Sequence, residues 1–163
     1  MVFASVVSVL LACAGGFPQL SELHEKGGVY YRGSSQQPFT GTAVALYENG
    51  QTEVSKSFVD GRLSGTWTEW YENGKKRYEG TWKDGKQNGK SLSWYANGEL
   101  KQRERYTMDV PSGVHEEWYA SGQLKCKKPY VDGQPFGVWQ FWKEDGSKDR
   151  LEVYEDGKLA RTE

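Results

Sequence analysis

The side chains that could carry out acid–base or metal chemistry are few, and none has a catalytic spacing. The histidines are His24 and His115. No HxxxH, HExxH or CxxC pattern occurs, so a zinc site lacks its ligands. No serine lies in a G-x-S-x-G pattern, and the glycines form no G-x-G-x-x-G motif or P-loop. The sequence therefore predicts a protein that is not an enzyme and that uses no cofactor and no metal.

Two close pairs of acidic residues are the remaining candidates for catalysis. Glu69 lies near Glu72, and Glu116 is followed by Glu117. In a chain that repeats every 24 residues, a catalytic carboxylate should recur at the equivalent positions. The residues equivalent to position 69 are Ala45, Glu69, Ser93, Glu117 and Phe141. Since this position is not consistently acidic, solvated strand faces explain the acidic pairs better than a general acid and base.

Composition and charge narrow the class of protein further. The chain has 163 residues, 21 Lys and Arg, 22 Asp and Glu, and a net charge of −1. Such a balance creates no field that would attract nucleic acid. Hydrophobic residues make up only 36%, but the chain contains 7 Trp and 10 Tyr. Because these rings bury large areas, the composition indicates a folded, aromatic-rich domain.

The N-terminal segment predicts export. Residues 1–12 are uncharged and almost wholly apolar, and they are too short to span a bilayer. Leu10–Cys13 resembles a bacterial lipobox, in which Cys13 would be lipidated. Residues 1–13 are then a signal peptide with its lipobox, and 14–28 form a tether or linker. Cleavage after Ala14 is the alternative and would give a secreted or periplasmic protein, whereas lipidation would anchor it at the outer membrane or cell surface.

A period of 24 residues runs through the rest of the chain. Glycine recurs with this spacing at the centre of each predicted hairpin turn: Gly50, Gly74, Gly98, Gly122 and Gly146. Asn73-Gly74 separates two segments rich in Trp, Tyr and Thr, as expected for a two-residue type I′ turn. A longer glycine-containing link, Asp84–Gly89, joins this hairpin to the next. The spacing predicts an all-β protein: an elongated antiparallel meander of about five β-hairpin repeats with little or no helix outside the signal.

The residues WYENGK (70–75) and YEGTWKDG (78–85) resemble a known repeat. They are similar to the variant MORN repeat, as found in bacterial antitoxin proteins of the YwqK type, and the lead-in at 27–41 resembles that of exported members. The resemblance implies a repeat domain over 29–160. It also implies an antitoxin-like or immunity role in which the protein covers an unidentified protein partner, with a toxin as one case.

Two aromatic rows follow from the period, and they are expected on opposite faces of the sheet because neighbouring strand residues alternate. The predicted structural row is Trp70, Trp94, Trp118 and Trp142. The candidate binding face is the row Tyr71, Tyr95 and Tyr119, with its hydroxyls at the surface. The equivalent Lys143 indicates that this second row is at least partly wet.

The predicted function is non-catalytic protein interaction at the bacterial cell envelope. The membrane is contacted through the lipid anchor only, and no nucleic acid is bound. The alternative is a cell-wall or glycan-binding module, because regularly spaced Trp and Tyr rings can also stack on sugars.

Overall fold

Two turns in each 24-residue period produce two antiparallel strands per repeat. The computed structural model describes residues 16–163, so the predicted signal peptide and Cys13 lie outside the described residues. The strands are β1 Leu23–Lys26, β2 Val29–Arg32, β3 Gly41–Leu46, β4 Thr52–Val59, β5 Arg62–Trp70, β6 Lys76–Lys83, β7 Lys86–Trp94, β8 Leu100–Thr107, β9 Val110–Pro111, β10 Gly113–Trp118, β11 Leu124–Val131, β12 Gln134–Pro135, β13 Gly137–Trp142, β14 Lys148–Glu155 and β15 Lys158–Thr162. A 3-10 turn, Leu20–Glu22, is the helical element of the described part.

Strands β3 to β15 form one antiparallel sheet in which chain order and spatial order agree. The order across the sheet is β15-β14-β13-β11-β10-β8-β7-β6-β5-β4-β3, and the short strands β9 and β12 pair with β8 and β11. Five hairpins therefore follow one another: β3–β4, β5–β6, β7–β8, β10–β11 and β13–β14. The predicted all-β meander of hairpin repeats is confirmed.

The cross-strand register agrees with the sequence prediction in the middle of each hairpin and differs near its turn. The predicted two-residue turn at Asn73-Gly74 implies four pairs: Glu69 with Tyr78, Trp67 with Gly80, Trp70 with Arg77 and Tyr71 with Lys76. The first two are present. A bulge after Glu69 then places Trp70 opposite Lys76, so the other two are wrong. Tyr71 instead begins the turn.

The two turn types are the reverse of the prediction. At Asn73-Gly74 only the glycine has a positive φ, of 78°, and its N–H donates to the Tyr71 carbonyl at 2.9 Å. This is a type I turn followed by a left-handed glycine, not type I′. The two-residue turn with positive φ at both positions lies at Asp84-Gly85, with φ of 51° and 81°, between the paired residues Lys83 and Lys86.

The sheet is a single layer and buries few residues. The buried apolar residues of the described chain are Ala43, Val44, Phe58, Cys126 and Val153, and no large side chain is fully enclosed. Most Trp and Tyr side chains are half-buried. Stability must therefore come largely from cross-strand contacts between neighbouring repeats rather than from an enclosed core.

An N-terminal hairpin covers the first end of the array. Strands β1 and β2 form a separate two-stranded sheet, and β1 belongs to the segment expected to be a tether. The Tyr30 ring packs on Phe58 with centroids 5.1 Å apart. The Tyr30 N–H donates to the Gly61 carbonyl at 2.8 Å, and the Gly61 N–H donates to the Phe39 carbonyl at 2.8 Å. The hairpin thus acts as a terminal cap on the repeats.

Candidate binding face

One face of the sheet carries a ladder of aromatic rings from successive strands. Ring centroids lie 5.3 Å apart for Trp67 and Trp82, 5.2 Å for Tyr130 and Trp139, and 4.5 Å for Trp139 and Tyr154. These distances suit tilted and edge-on aromatic contacts. We call this side the ladder face and define it by Trp67, Trp82, Tyr106, His115, Tyr130, Trp139 and Tyr154.

Glycines opposite the rings make this arrangement possible. Gly65 pairs with Trp82 and Gly89 pairs with Tyr106 across neighbouring strands. A strand glycine leaves room for an aromatic ring from the facing position to lie across it. The 24-residue spacing of these rings and of the facing glycines is visible in the sequence, but the binding face was predicted on the Tyr71 row instead.

His115 is a rung of the ladder. It takes the position held by Trp67 and Trp139 and lies between Tyr106 and Tyr130, at centroid distances of 5.3 and 4.7 Å. Its Nε2 atom lies 2.9 Å from the Arg105 carbonyl oxygen. His24 lies on β1 and stacks on Tyr31 at 5.6 Å. The two histidines therefore belong to different sheets and form no shared site.

Cys126 also lies on this side and is suited to packing rather than nucleophilic attack. Its side chain is 3% exposed, and its Sγ lies 3.9 Å from Glu117 Oε2. Burial is the main cause that raises the pKa of the Cys126 thiol above its usual value. A thiol with a raised pKa holds less of the reactive thiolate at neutral pH.

The Tyr71 row has a structural role that the sequence analysis missed. Each hydroxyl donates to a backbone carbonyl in the next repeat: Tyr71 to Trp94 at 2.8 Å, Tyr95 to Trp118 at 2.8 Å, and Tyr119 to Trp142 at 3.0 Å. The expectation of free surface hydroxyls is therefore wrong. The rings themselves are half-buried and stay available for contact.

The Trp70 row is also half-buried, so burial does not separate the two rows. Trp94 lies with Leu92, Arg103 and Val114 around a depression on the side opposite the ladder, as strand alternation requires. Arg103 lies over the Trp118 ring at 5.3 Å. Arg77, expected beside Trp70, instead pairs with Glu69 Oε2 at 2.9 Å.

Lysine side chains lie along the ladder face, over one of its rings and over two rings of the Tyr71 row. Lys56 Nζ lies 3.8 Å from the Trp67 ring centroid, and burial lowers the pKa of Lys56 although Glu69 opposes the shift. Lys101 and Lys125 lie over Tyr95 and Tyr119, each at 5.7 Å. Such contacts position positive charge over negative ring faces.

The ladder face contains an open depression of about 680 Å³ over strand β7. Its walls include Trp67, Trp82 and Arg77 on one side and Lys101 and Gln102 on the other. Ser93, on the floor, replaces the larger side chains found at equivalent positions in neighbouring repeats. We call it the β7 depression.

The described residues show neither a metal-binding cluster nor a membrane-spanning helix. Residues 16–163 contain no group of three or more His, Cys, Asp or Glu side chains arranged to hold a metal ion. Within the same range, no helix has the length and apolar character needed to cross a membrane.

The chain was also compared with known proteins. Residues 63–84, 87–107 and 111–132 match the family model described as the MORN repeat variant. No curated protein matches the chain. The matched segments are successive, and each spans two neighbouring strands of the meander with the Asp-Gly-type turn at or beside its C-terminal end. Over residues 63–132 the chain is therefore similar to three consecutive repeats of the MORN variant type.

Proposed function

We propose that this chain is a non-catalytic protein-interaction module of the bacterial cell envelope and that a protein partner docks on the ladder face. The observation that carries the proposal is the half-exposed aromatic ladder, flanked by Lys56, Lys101 and Lys125, on a sheet that no second layer covers beyond the N-terminal cap within residues 16–163. Aromatic side chains are enriched where protein partners meet, and charged side chains beside them provide electrostatic complementarity.

The family agrees with this role in general terms. MORN repeats are protein- or membrane-interaction modules. A single-layer array gives a long, rigid surface, because each repeat is tied to the next by tyrosine and turn hydrogen bonds. A rigid surface loses little conformational entropy on binding, which favours affinity.

The resemblance to antitoxin proteins suggests how binding would act. An immunity or antitoxin protein neutralises its partner by covering it and needs no catalytic group. The tyrosine row Tyr71, Tyr95 and Tyr119 would then contribute its ring faces to the interface, since its hydroxyls are already engaged by the fold.

Photocrosslinking from defined positions tests the docking face. A benzophenone amino acid would replace Lys125 on the ladder face or, as the matched control, the exposed Lys90 on the opposite face. We expect one envelope protein, identified by mass spectrometry, to be crosslinked from position 125 and not from position 90. Equal crosslinking from both positions would contradict the docking face. Retention of purified chain on a glycan array, with no protein crosslink, would replace the proposal with glycan binding.

Export is tested separately by Cys13→Ala. If Cys13 carries the lipid anchor, this substitution should move the protein from the membrane fraction to the soluble fraction, because several acyl chains together anchor a protein firmly. Unchanged fractionation, with cleavage mapped after Ala14, would contradict lipidation and support a secreted or periplasmic protein.

A further inference from the structure

One cation of the ladder face lacks the acidic partner that its counterparts have. Arg77 Nη2 lies 2.9 Å from Glu69 Oε2, and Lys125 Nζ lies 2.7 Å from Glu117 Oε1. Lys101 occupies the equivalent position in the repeat between them, but Ser93 stands where the other two repeats have glutamate. Among the described residues Lys101 forms no ion pair, whereas the hydrogen bond to Glu117 raises the pKa of Lys125.

Lys101 forms no ion pair because its acidic partner is missing, and not because its side chain lies in a different position from that of Lys125. Lys101 and Lys125 lie over the equivalent tyrosine rings at the same distance, 5.7 Å. In one repeat the amine also meets a carboxylate, and in the other it faces the β7 depression. A carboxylate from a binding partner would therefore give Lys101 the ion pair that the equivalent residues Arg77 and Lys125 already form within the chain.

Two further donors point to the same depression. Among residues 16–163, Arg77 Nε and Trp82 Nε1 are buried and have no hydrogen-bond partner, and both side chains line the β7 depression. Unsatisfied buried donors are rare in folded proteins because each one forfeits its hydrogen bonds to water. An acceptor bound in the β7 depression would offer these two donors the partner that they lack.

The charge around the depression selects the class of acceptor. Its charged lining residues are Glu69, Arg77 and Lys101, which together carry one net positive charge. One negative charge matches this balance, as on a carboxylate, whereas a phosphate monoester would bring close to two. The apolar walls formed by Trp67 and Trp82 suit the methylene groups that carry a side-chain carboxylate.

We infer that the β7 depression is the docking site for an acidic segment of a protein partner. An Asp or Glu carboxylate of that segment pairs with Lys101, at the position where Ser93 replaces the glutamate of the neighbouring repeats. This inference rests on the proposed function, because it names the chemistry that the ladder face recognises. Trp67 and Trp82 provide the aromatic anchor that binding centres commonly have.

A peptide titration followed by NMR tests this site on the full chain. The probe is a capped peptide of alternating serine and glutamate, and its neutral counterpart has glutamine in place of glutamate. We expect the acidic peptide to shift the Trp82 indole N–H resonance, assigned with Trp82→Phe, and to bind at least about fivefold more tightly than the neutral peptide.

Three variants locate the effect. Ser93→Glu supplies the missing internal partner, and Lys101→Gln removes the charge; each should weaken binding of the acidic peptide about fivefold or more. Lys90→Gln removes the same charge from the opposite face of strand β7; it is the matched control and should leave binding unchanged. Circular dichroism and unfolding curves confirm that each variant folds. Equal binding of the two peptides, or equal effects of Lys101→Gln and Lys90→Gln, would overturn the assignment.

Other ligand classes are tested by the same resonance. Inorganic phosphate or a glucuronic acid oligomer that binds as tightly as the acidic peptide would overturn the choice of a protein carboxylate. The crosslinked envelope partner separates this inference from the proposed function. If that partner binds wild type and Ser93→Glu equally, the acid site is wrong while the interaction module stands. If the chain with the benzophenone amino acid at position 125 crosslinks to no envelope protein, the proposed function fails.

Discussion

The two ends of each hairpin repeat hold the array together in different ways. At the Asn-Gly end, side chains reach forward to the next repeat: the Tyr71 hydroxyl bonds the Trp94 carbonyl, and Asn73 Nδ2 donates to the Ala96 carbonyl at 3.0 Å. At the Asp-Gly end, the turn backbone reaches back to the first strand of the hairpin that it follows: the Gly85 N–H donates to the Leu63 carbonyl at 2.8 Å.

The Asp-Gly end keeps its backbone shape when its glycine is lost. Met108-Asp109 replaces Asp-Gly in the third repeat, and both residues keep positive φ, of 50° and 69°. The Asp109 N–H still donates to the Gln87 carbonyl at 2.9 Å, and its carboxylate accepts from the Gln87 N–H at 2.7 Å. At the Asn-Gly end of the second and third repeats, the side-chain amides of Asn73 and Asn97 add hydrogen bonds to the next repeat.

The largest expected effect is at the capped Asp-Gly turn. A Cβ added at Gly61 would lie 2.4 Å from Val29 Cγ1 and 2.8 Å from the Tyr30 carbonyl oxygen, and its φ of +71° is strained for alanine. Gly61→Ala should lower the free energy of unfolding by roughly 2–4 kcal/mol, combining backbone strain with overpacking. Chemical denaturation measures it.

Gly85→Ala is the matched control at the next turn. Its φ is +81°, but no atom lies within 4 Å of the added Cβ. Only the backbone strain applies, so the loss should be about 1 kcal/mol. Equal losses at the two glycines would show that the N-terminal hairpin does not pack on the first turn.

The next largest loss of stability is expected at the Asn-Gly turn, whose side chain forms more hydrogen bonds than that of the Asp-Gly turn. Asn73 Oδ1 accepts from the Lys75 N–H at 3.0 Å, and its amide bonds the next repeat. Asn73→Ala removes both hydrogen bonds and should lower the free energy of unfolding by about 1–2 kcal/mol. Asp84→Asn, at the other end, keeps a residue that tolerates positive φ and should change it by less than about 0.5 kcal/mol. Similar losses would contradict the proposed division of roles.

Tyr71→Phe measures the hydrogen bond to the next repeat on its own. The substitution keeps the ring and removes the hydroxyl that donates to the Trp94 carbonyl, so the free energy of unfolding should fall by about 1 kcal/mol. Tyr31→Phe is the control, because its hydroxyl makes no hydrogen bond among the described residues. Equal stability of the two variants in urea denaturation would show that the tyrosine row does not couple the repeats.

The sequence was sufficient to predict the meander and its central cross-strand pairs, because a 24-residue spacing places Glu69 opposite Tyr78 wherever the turn is short. It could not decide which glycine turn has two residues. Asn-Gly and Asp-Gly both support a left-handed glycine, and the choice depends on hydrogen bonds to neighbouring repeats.

The candidate site was less predictable for a related reason. The ladder and the β7 depression exist only once the repeats stack, so no single repeat contains them. One signal was present: Ser93 interrupts a position that is glutamate in the repeats on either side, while Lys101 keeps its charge. The N-terminal cap was signalled only in part: the resemblance of the lead-in at 27–41 covers β2, whereas β1 lies in the segment expected to be a tether.

The smallest effect at neutral pH concerns the tyrosines of the Asp-Gly half. The Tyr106 hydroxyl donates to Glu104 Oε2 at 3.2 Å in its own strand, rather than to the next repeat. Burial, together with the charge and hydrogen bond of Glu104, raises the pKa of Tyr106 to about 12. Tyr106→Phe should therefore change stability little at pH 7, since the bond ties no repeats together.

The stabilities of wild type and Tyr106→Phe should differ only at alkaline pH. Because the folded-state pKa of Tyr106 lies above the unfolded value near 10, the neutral phenol contributes stability fully below about pH 10 and loses it as the pH rises through 12. The unfolding midpoint of wild type should thus fall more steeply over this range than that of Tyr106→Phe. Phenolate absorbance should show one late-titrating tyrosine fewer in the variant. Parallel midpoints and identical titrations would mean that the Glu104 contact does not hold this phenol neutral, and the two tyrosine classes would then differ only in the repeats they connect.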